Sequence, residues 1–413
     1  MAELTTLGLP PRPDTPPSAV RAVPAALVSA ALMGISALAY VFTILAARTL
    51  APHAYGELAA LLGVALIGAV PAIGVQTATA LALGGHRGDP APLIRRLHAA
   101  ALVAALGVGV AGLLATAPVV WLLHVPDPAA VGWVVLLLLA HTVVGGYEGV
   151  LQGGGRYVRM AVVTTSFGAG KFAGGTTGLL LGDTPTAALA GMALGATLGA
   201  AAGWFGCGRP GLSRGIAGPA RAALKASAAL LGFVLLLNLD VLLARHHLAA
   251  SQAGEYAVAA VFAKIAFWLP QGVGVVLLPR LADAGSRRRA VGSAVAVVAA
   301  VGATLTVGAL ALGGRALSLV GGSAYGSSLG GWAWLFAVLG TLLAAAQLLL
   351  YSGIAASDRG ATVAVWAAAV TECVVVALLA ATGRLTLLTL VAAAAGTAIV
   401  LVGTGLIRLH PVR

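Results

Sequence analysis

The chain is poor in charge. Only 9% of its 413 residues are Asp, Glu, Lys or Arg, whereas 60% are apolar. A soluble domain carries about 25% charged residues, so this composition excludes an ordinary soluble enzyme, a disordered chain and a nucleic-acid-binding protein. Because a bilayer-crossing helix uses roughly 20 apolar residues, the sequence predicts an all-α polytopic membrane protein.

Cysteine is scarce as well. Cys207 and Cys373 are the only two, and they lie far apart in the sequence, without the spacing of metal ligands. The sequence therefore predicts no disulfide framework, no metal site and no cofactor. Two stretches that resemble nucleotide-binding loops, 107–112 and 168–171, lie inside apolar runs and not between a strand and a helix, so they are not interpreted as such sites.

What the chain has in abundance is apolar runs, bounded by charge or by Gly and Pro. Pro71 and Pro270 lie inside the second and eighth runs and predict helix kinks there. The connections between runs are short, which leaves no room for a catalytic domain and argues against an enzyme. About twelve transmembrane helices are predicted, at 23–47, 57–83, 97–122, 130–151, 159–182, 186–206, 224–246, 253–279, 290–313, 330–353, 361–381 and 385–407.

The basic residues are distributed unevenly between the two ends of these spans. With the N-terminus inside, 18 of the 24 fall in inner segments, 4 in outer turns, and Lys171 and Lys264 inside spans. Since cytoplasmic loops carry an excess of Lys and Arg, we expect a multi-pass protein of the cytoplasmic membrane with both termini cytoplasmic. We attribute the net charge of +12 to the excess of basic residues in cytoplasmic segments and to attraction to anionic lipids. It is not interpreted as a sign of nucleic-acid binding.

The chain contains an internal repeat. Residues 50–60 align with 248–258 at an offset of 198, and 153–156 align with 356–359 at an offset of 203. Six spans separate the copies, so the sequence predicts two six-helix bundles related by a pseudo-twofold axis along the membrane normal. The expected organisation is a disordered cytoplasmic tail (1–22), an N-terminal bundle (23–206), a cytoplasmic linker (207–224), a C-terminal bundle (225–407) and a cytoplasmic tail (408–413).

Three motifs carry a resemblance to a known family. The stretch 47–58, ARTLAPHAYGEL, resembles the R-x-L-G-P-x-x-Y-G turn of the oligosaccharide (polysaccharide-transport) flippases, within the multidrug/oligosaccharidyl-lipid/polysaccharide exporter superfamily. Asn238-Leu-Asp240 with the later Ala253-Gly254-Glu-Tyr256 is similar to a second family segment, and 269–281 to a third. The resemblance implies a flippase that carries undecaprenyl-diphosphate-linked sugars outward by alternating access. Cell-envelope glycosyltransferases would be its partners. Gln76 departs from the basic residue that many members have in the second span.

Four ionisable residues are predicted to lie at bilayer depth, where isolation costs several kcal/mol and marks a functional site by default: Lys171, Asp240, Lys264 and Glu372. On the functional interpretation, Lys171, Lys264 and Glu372 line a central cavity, the lysines attract the diphosphate of the lipid-linked sugar, and Asp240 and Glu372 serve coupling. On the structural interpretation, Lys171–Glu372 and Asp240–Lys264 are internal ion pairs. From the repeat offset, Lys171 and Glu372 are expected to face each other across the axis; Glu148 is expected at the membrane interface.

Two other functions stay open at this point. A cation-coupled small-molecule or multidrug exporter of the same superfamily would use Asp240 and Glu372 to bind a cationic substrate, although two lysines in the cavity argue against that. A non-transporting scaffold for cell-envelope synthesis belongs to a different class.

Overall fold

The computed structural model describes residues 19–213, 217–269, 287–325, 329–355 and 358–409, and within them the structure is helical without a strand. The helices, labelled in chain order, are α1 Ala19–Thr49, α2 Pro52–Gly68, α3 Val70–Gly84, α4 Ala91–Leu123, α5 Ala129–Gly153, α6 Tyr157–Gly182, α7 Pro185–Gly206, α8 Ala217–His247, α9 Ala250–Trp268, α10 Arg287–Leu312, α11 Arg315–Gly321, α12 Ala333–Ala355, α13 Arg359–Ala381 and α14 Leu387–Leu409, with a 3₁₀ turn at Gly330–Trp332.

These helices match the predicted spans. Ten segments of the described chain are long and apolar enough to cross a membrane, with α2 and α3 counted as one. The two remaining predicted spans are α6 and α9, which are less apolar and carry Lys171 and Lys264. The all-α fold of about twelve spans is therefore confirmed.

The predicted boundaries need small corrections. Helix α1 begins at Ala19, inside the predicted tail, and α8 begins at Ala217, inside the predicted linker. Several predicted features lie outside the described residues: most of the two tails (1–18 and 410–413) and most of the third family motif, including Pro270. The kink at Pro71 is confirmed: α2 ends at Gly68 and α3 starts at Val70, because a proline has no N–H to continue the helical hydrogen bonds.

Local signals set the helix ends. Thr184 caps α7 by accepting a hydrogen bond from the Ala187 N–H at 3.2 Å, with Pro185 in the first turn. Asp358 caps α13 by accepting from the Gly360 N–H at 2.8 Å. Helix α6 ends at Gly182 and is followed by Asp183, which has a left-handed φ of 48°, a conformation that short polar residues tolerate.

The two halves meet at the end that carries the α1–α2 and α8–α9 turns, here called the outer end after its predicted orientation. The guanidinium of Arg245, at the end of α8, is buried and donates hydrogen bonds to three carbonyls of the first half. The acceptors are Leu123 (2.9 Å), His53 (3.3 Å) and His124 (3.3 Å). Glu57 lies 3.9 Å from the same guanidinium. The carbonyls of Leu123 and His124 lie at the C-terminus of α4, where they lack intrahelical partners, and the planar fork of arginine suits them.

Arg48 makes the same contact in the opposite direction. It lies at the end of α1 and donates to the carbonyls of Leu319 (2.5 Å) and Val320 (3.2 Å) in α11 of the second half. Arg48 and Arg245 are 197 residues apart, and so are Leu123 and Val320. Such reciprocal contacts are what a twofold relation between the halves produces. We call these two arginines and the carbonyls they bind the arginine latch.

Beside the latch, α2 and α9 cross at the repeat-matched glycines. A Cβ on Gly56 would come within 2.8 Å of the backbone nitrogen of Gly254, so the crossing needs glycine. Tyr55 and Tyr325 pack edge to face over it, with ring centroids 6.3 Å apart. The outer end is therefore closed by contacts between the two halves.

Candidate functional site

A cavity of about 300 Å³ lies at mid-depth, between the first half and α9 of the second. Its wall is mostly apolar and comes from α1, α2, α5, α6, α7 and α9. The polar side chains on the wall are Ser36, Tyr40, Thr43, His141, Lys171 and Lys264. A smaller void of about 50 Å³ shares Tyr40 and Lys264 with this cavity and reaches Tyr55 under the closed outer end.

Lys171 enters the cavity from α6. Its ammonium lies 4.5 Å above the centre of the Phe167 ring, a favourable cation–π arrangement. His141 of α5 packs against the same ring, with centroids 4.9 Å apart. Lys171 also interacts electrostatically with Glu148 of α5.

Lys264 enters the cavity from α9, in the other half. Its backbone carbonyl accepts a 2.9 Å hydrogen bond from the Tyr40 hydroxyl of α1, which ties α9 to the first half at cavity depth. Its acidic neighbour is Asp240 of α8. Asp240 is 6% exposed and accepts a 3.0 Å hydrogen bond from the Tyr256 hydroxyl.

Glu372 lies elsewhere. It is 2% exposed on α13, where its Oε2 accepts a 3.1 Å hydrogen bond from Thr397 of α14. Its Oε1 has no hydrogen-bond partner among the described residues. Asp240 interacts with it electrostatically. Glu372 is therefore part of an acidic group inside the second half, not of the cavity wall formed by the two lysines.

The expectation that Lys171 and Glu372 face each other is wrong. Helix α6 packs on α1, α5 and α7, whereas α13 packs on α8, α12 and α14. The two repeat offsets, 198 and 203, differ by more than a helical turn, and one residue of error turns a side chain by about 100°. The offset therefore did not fix the direction of the side chain.

Sequence reasoning missed His141 and gave Glu148 no partner. The side chain of Glu148 is partly buried, and its Oε1 accepts a 2.5 Å hydrogen bond from Thr164 of α6. The available signal was spacing: 141 and 148 are seven residues apart on α5, as are 164 and 171 on α6. Residues at this spacing share a helix face.

Chemically, the cavity can bind an anion that carries an apolar group. Two ammonium groups reach it from opposite halves, and the carboxylates of Glu148 and Asp240 lie behind its wall. Within the described residues, no group of His, Cys, Asp and Glu is arranged to hold a metal ion.

Comparison with known proteins identifies the fold. No protein-family model and no curated protein matches the chain, but solved membrane transporters do. The lipid II flippase MurJ in an inward closed conformation matches with a TM-score of 0.72 and 10% identity, over 92% of this chain and 87% of that one.

Two further structures give the same result. An inward-facing multidrug resistance MATE family transporter of the MOP superfamily matches with a TM-score of 0.67 and 12% identity, over 90% and 94% of the two chains. A MOP superfamily transporter from Pyrococcus furiosus, described as having a binding pocket of reverse polarity, matches at 0.54 and 13%, over 94% and 95%. The chain thus has the fold of these transporters, twelve helices in two bundles.

Proposed function

We propose that the protein is a membrane transporter that flips a lipid-linked oligosaccharide, a polyprenyl-diphosphate sugar, across the cytoplasmic membrane by alternating access. The observation that carries this proposal is the convergence of Lys171 and Lys264, from opposite halves, on one largely apolar cavity. The fold shared with MOP superfamily transporters supports transport, and the closed outer end supports a state that is sealed on one side.

The substrate class follows from the chemistry of the wall. A diphosphate is a compact anion, and charge-assisted hydrogen bonds from ammonium groups are about twice as strong as neutral ones. They are stronger still where water is excluded. The apolar remainder of the wall, with Phe172 and Trp268, suits the first carbons of a polyprenyl chain. A volume of about 300 Å³ holds the head of such a molecule, and the rest of the chain stays in the lipid.

We assign binding and coupling to different places, because the two lysines line the cavity and the two acids do not. Lys171 and Lys264 bind the head group. Asp240 and Glu372, buried beside each other without sharing the cavity wall, take up the coupling proton or cation. The Oε1 of Glu372 has no hydrogen-bond partner among the described residues. It can therefore take the proton or cation, because a buried carboxylate without a partner is costly.

A cation-coupled small-molecule exporter is the second candidate, favoured by the likeness to MATE transporters. It requires a cationic substrate to reach Asp240 or Glu372. Neither acid is on the cavity wall, and two lysines are, so the wall repels cations.

Flipping of a fluorescent polyprenyl-diphosphate sugar in vesicles of the purified chain tests the function. Lys171→Gln and Lys264→Gln are each expected to lower the flipping rate at least tenfold, because removing one charge-assisted contact costs about 1.5–3 kcal/mol. Arg384→Gln, which removes an exposed cation, is the matched control and keeps the wild-type rate. Unchanged flipping in both lysine variants would exclude the proposed binding role.

The cell gives a second readout. Deletion of the gene is expected to cause accumulation of a lipid-linked intermediate, and neighbouring glycosyltransferase genes would fit the same function. A drug-sensitive deletion strain without such an intermediate favours the exporter. A strain that lacks cell-envelope polymer, with a chain that transports nothing in vesicles, favours the scaffold.

A further inference from the structure

Helices α5 and α6 place polar side chains at two levels inside the first half. At the cavity level, His141 of α5 and Lys171 of α6 both contact the ring of Phe167. Seven residues away on each helix, Glu148 accepts the hydrogen bond from Thr164. Seven residues correspond to about 10 Å along a helix axis, so the carboxylate lies two turns from the cavity, toward the predicted inner end.

We propose that Glu148 is the counter-charge of Lys171 in the empty cavity, and that binding of an anionic head group at Lys171 is linked to uptake of a proton by Glu148. This inference rests on the proposed function. It assigns to Glu148 a role in setting substrate affinity, without contact with the substrate.

The surroundings of Glu148 make Lys171 its electrostatic partner. Lys171 is the cation that interacts with it. Helices α3 and α7, which pack on α5, carry no ionisable side chain in Val70–Gly84 or Pro185–Gly206. On α4, His98 stacks against Tyr147, which does not line the cavity, and Arg95 and Arg96 are exposed near the start of the helix.

Other ionisable groups of the neighbouring helices are exposed or have other partners. Tyr40 of α1 faces the cavity and binds the backbone of α9. Arg159 is exposed at the start of α6, and Glu57 of α2 belongs to the arginine latch. None of them replaces Lys171 as the partner of Glu148.

The sign of the linkage follows from charge. An ionised Glu148 offsets the field of Lys171 in the empty cavity. A bound diphosphate lies against Lys171 and repels the ionised form of Glu148, since like charges disfavour ionisation. Binding therefore draws a proton onto Glu148 and, because linkage is reciprocal, protonation of Glu148 tightens binding. Gln152, four residues after Glu148 on the same face of α5, accepts a 3.3 Å hydrogen bond from Gln76 near the inner end, so the polar side chains continue from Glu148 toward that end.

Calorimetry on the purified full-length chain tests the linkage, with farnesyl diphosphate as the probe. Titration in two buffers of different ionisation enthalpy counts the protons taken up on binding. The diphosphate titrates itself, but that contribution is common to all variants and cancels in their difference. Wild type is expected to take up more protons than Glu148→Gln. The variant is also expected to bind about tenfold more tightly than wild type near pH 8, within the usual range of coupling between sites.

Two variants separate an electrostatic role from a structural one. Glu148→Asp keeps the charge and is expected to restore the proton uptake. Lys171→Gln is expected to remove the affinity gain of the Glu148→Gln change, because a buried Glu148 without its counter-charge already carries a proton before the probe binds. Asp183→Asn, at the outer end of α6 with a backbone conformation that Asn adopts, is the matched control and behaves as wild type.

The possible results point to different conclusions. If wild type binds the probe and Glu148→Gln takes up as many protons, the linkage is refuted while the proposed function stands. If neither wild type nor any variant binds the probe, the proposed function fails, and the linkage fails with it.

Discussion

The arginine latch predicts how the outer end opens. Arg245 is 7% exposed and makes three hydrogen bonds to carbonyls of the first half, one at 2.9 Å and two at 3.3 Å. The perturbation is Arg245→Gln together with Glu57→Gln, so that no carboxylate is left buried without its partner. The expected result is a shift toward a state in which the outer end is open.

The magnitude can be worked from these contacts. A hydrogen bond with a charged partner contributes about 1.5–3 kcal/mol, and the two longer bonds are near the limit of good geometry. Counting only the 2.9 Å bond at full strength and the other two together as half a bond gives about 3 kcal/mol. Since about 1.4 kcal/mol is a factor of ten, the closed-to-open ratio is expected to fall by a factor of roughly 100.

Thiol labelling measures this shift. Ala59 lines the small void beneath the Gly56–Gly254 crossing, so Ala59→Cys reports access from the outer end. The background replaces Cys207 and Cys373 with Ala, and the reagent is a membrane-impermeant maleimide added outside sealed vesicles. The cysteine is expected to be protected in the wild-type latch and labelled at least tenfold faster in the latch variant.

Symmetry supplies a second perturbation. Arg48→Gln removes the reciprocal pair of bonds to Leu319 and Val320 and is expected to act in the same direction. Its effect is expected to be smaller, because this side chain is exposed and exposed charges contribute less. Arg384→Gln, an outer cation outside the latch, is the control. Equal labelling rates in the wild type and in both latch variants would refute the reasoning.

Three further outcomes are expected. Glu372→Gln should abolish stimulation of transport by an imposed proton or sodium gradient while leaving binding of farnesyl diphosphate unchanged; a loss of binding with intact coupling would contradict the assigned division of roles. Gly174→Val should prevent folding into a monodisperse protein, because Gly174 meets the backbone of Gly191 where α6 crosses α7; a monodisperse variant with the wild-type melting temperature would contradict this crossing. Asp358→Asn should lower the melting temperature at neutral pH, because the Gly360 N–H and the Arg408 guanidinium 3.1 Å away hold the pKa of Asp358 below its usual value. That contribution is present above the ordinary aspartate pKa of about 3.9 and is lost as the pH falls through the lowered pKa, so a difference from wild type that persists in stronger acid would contradict it.

The sequence predicted the helices well and the site in part, for physical reasons. A helix in lipid must satisfy its backbone internally and show apolar side chains outward, so each span leaves a continuous apolar run that a single sequence displays. Lys171 and Lys264 stood out because a charge in such a run is expensive. The two repeat offsets were too coarse to fix rotation about the helix axis, and the prediction that Lys171 faces Glu372 was wrong for that reason.

The reciprocal latch could have been found from the sequence only with the exact offset. Arg48 and Arg245 are 197 residues apart, one residue fewer than the offset that aligns the neighbouring glycines. An alignment that matches Gly56 with Gly254 therefore places Arg48 opposite His246. The segment from the arginine to the glycine is one residue longer in the second half (Arg245 to Gly254) than in the first (Arg48 to Gly56). Only the three-dimensional contacts therefore reveal that the two arginines have the same role.

The two halves are alike where they touch and different where they enclose charge. At the outer end, a rocking motion of one half against the other breaks the contacts of both arginines together, so a symmetric latch makes opening cooperative. At mid-depth the first half contributes Lys171 with Glu148 behind it, whereas the second half contributes Lys264 with Asp240 and Glu372 behind it. Such a site can bind one anion between its halves while the acids of each half take up protons separately. The reason is that Glu148 lies among the helices of the first half, whereas Asp240 and Glu372 lie among those of the second. On the proposed function, we therefore expect the symmetric contacts to govern which end is open and the asymmetric charges to govern what is bound when it opens.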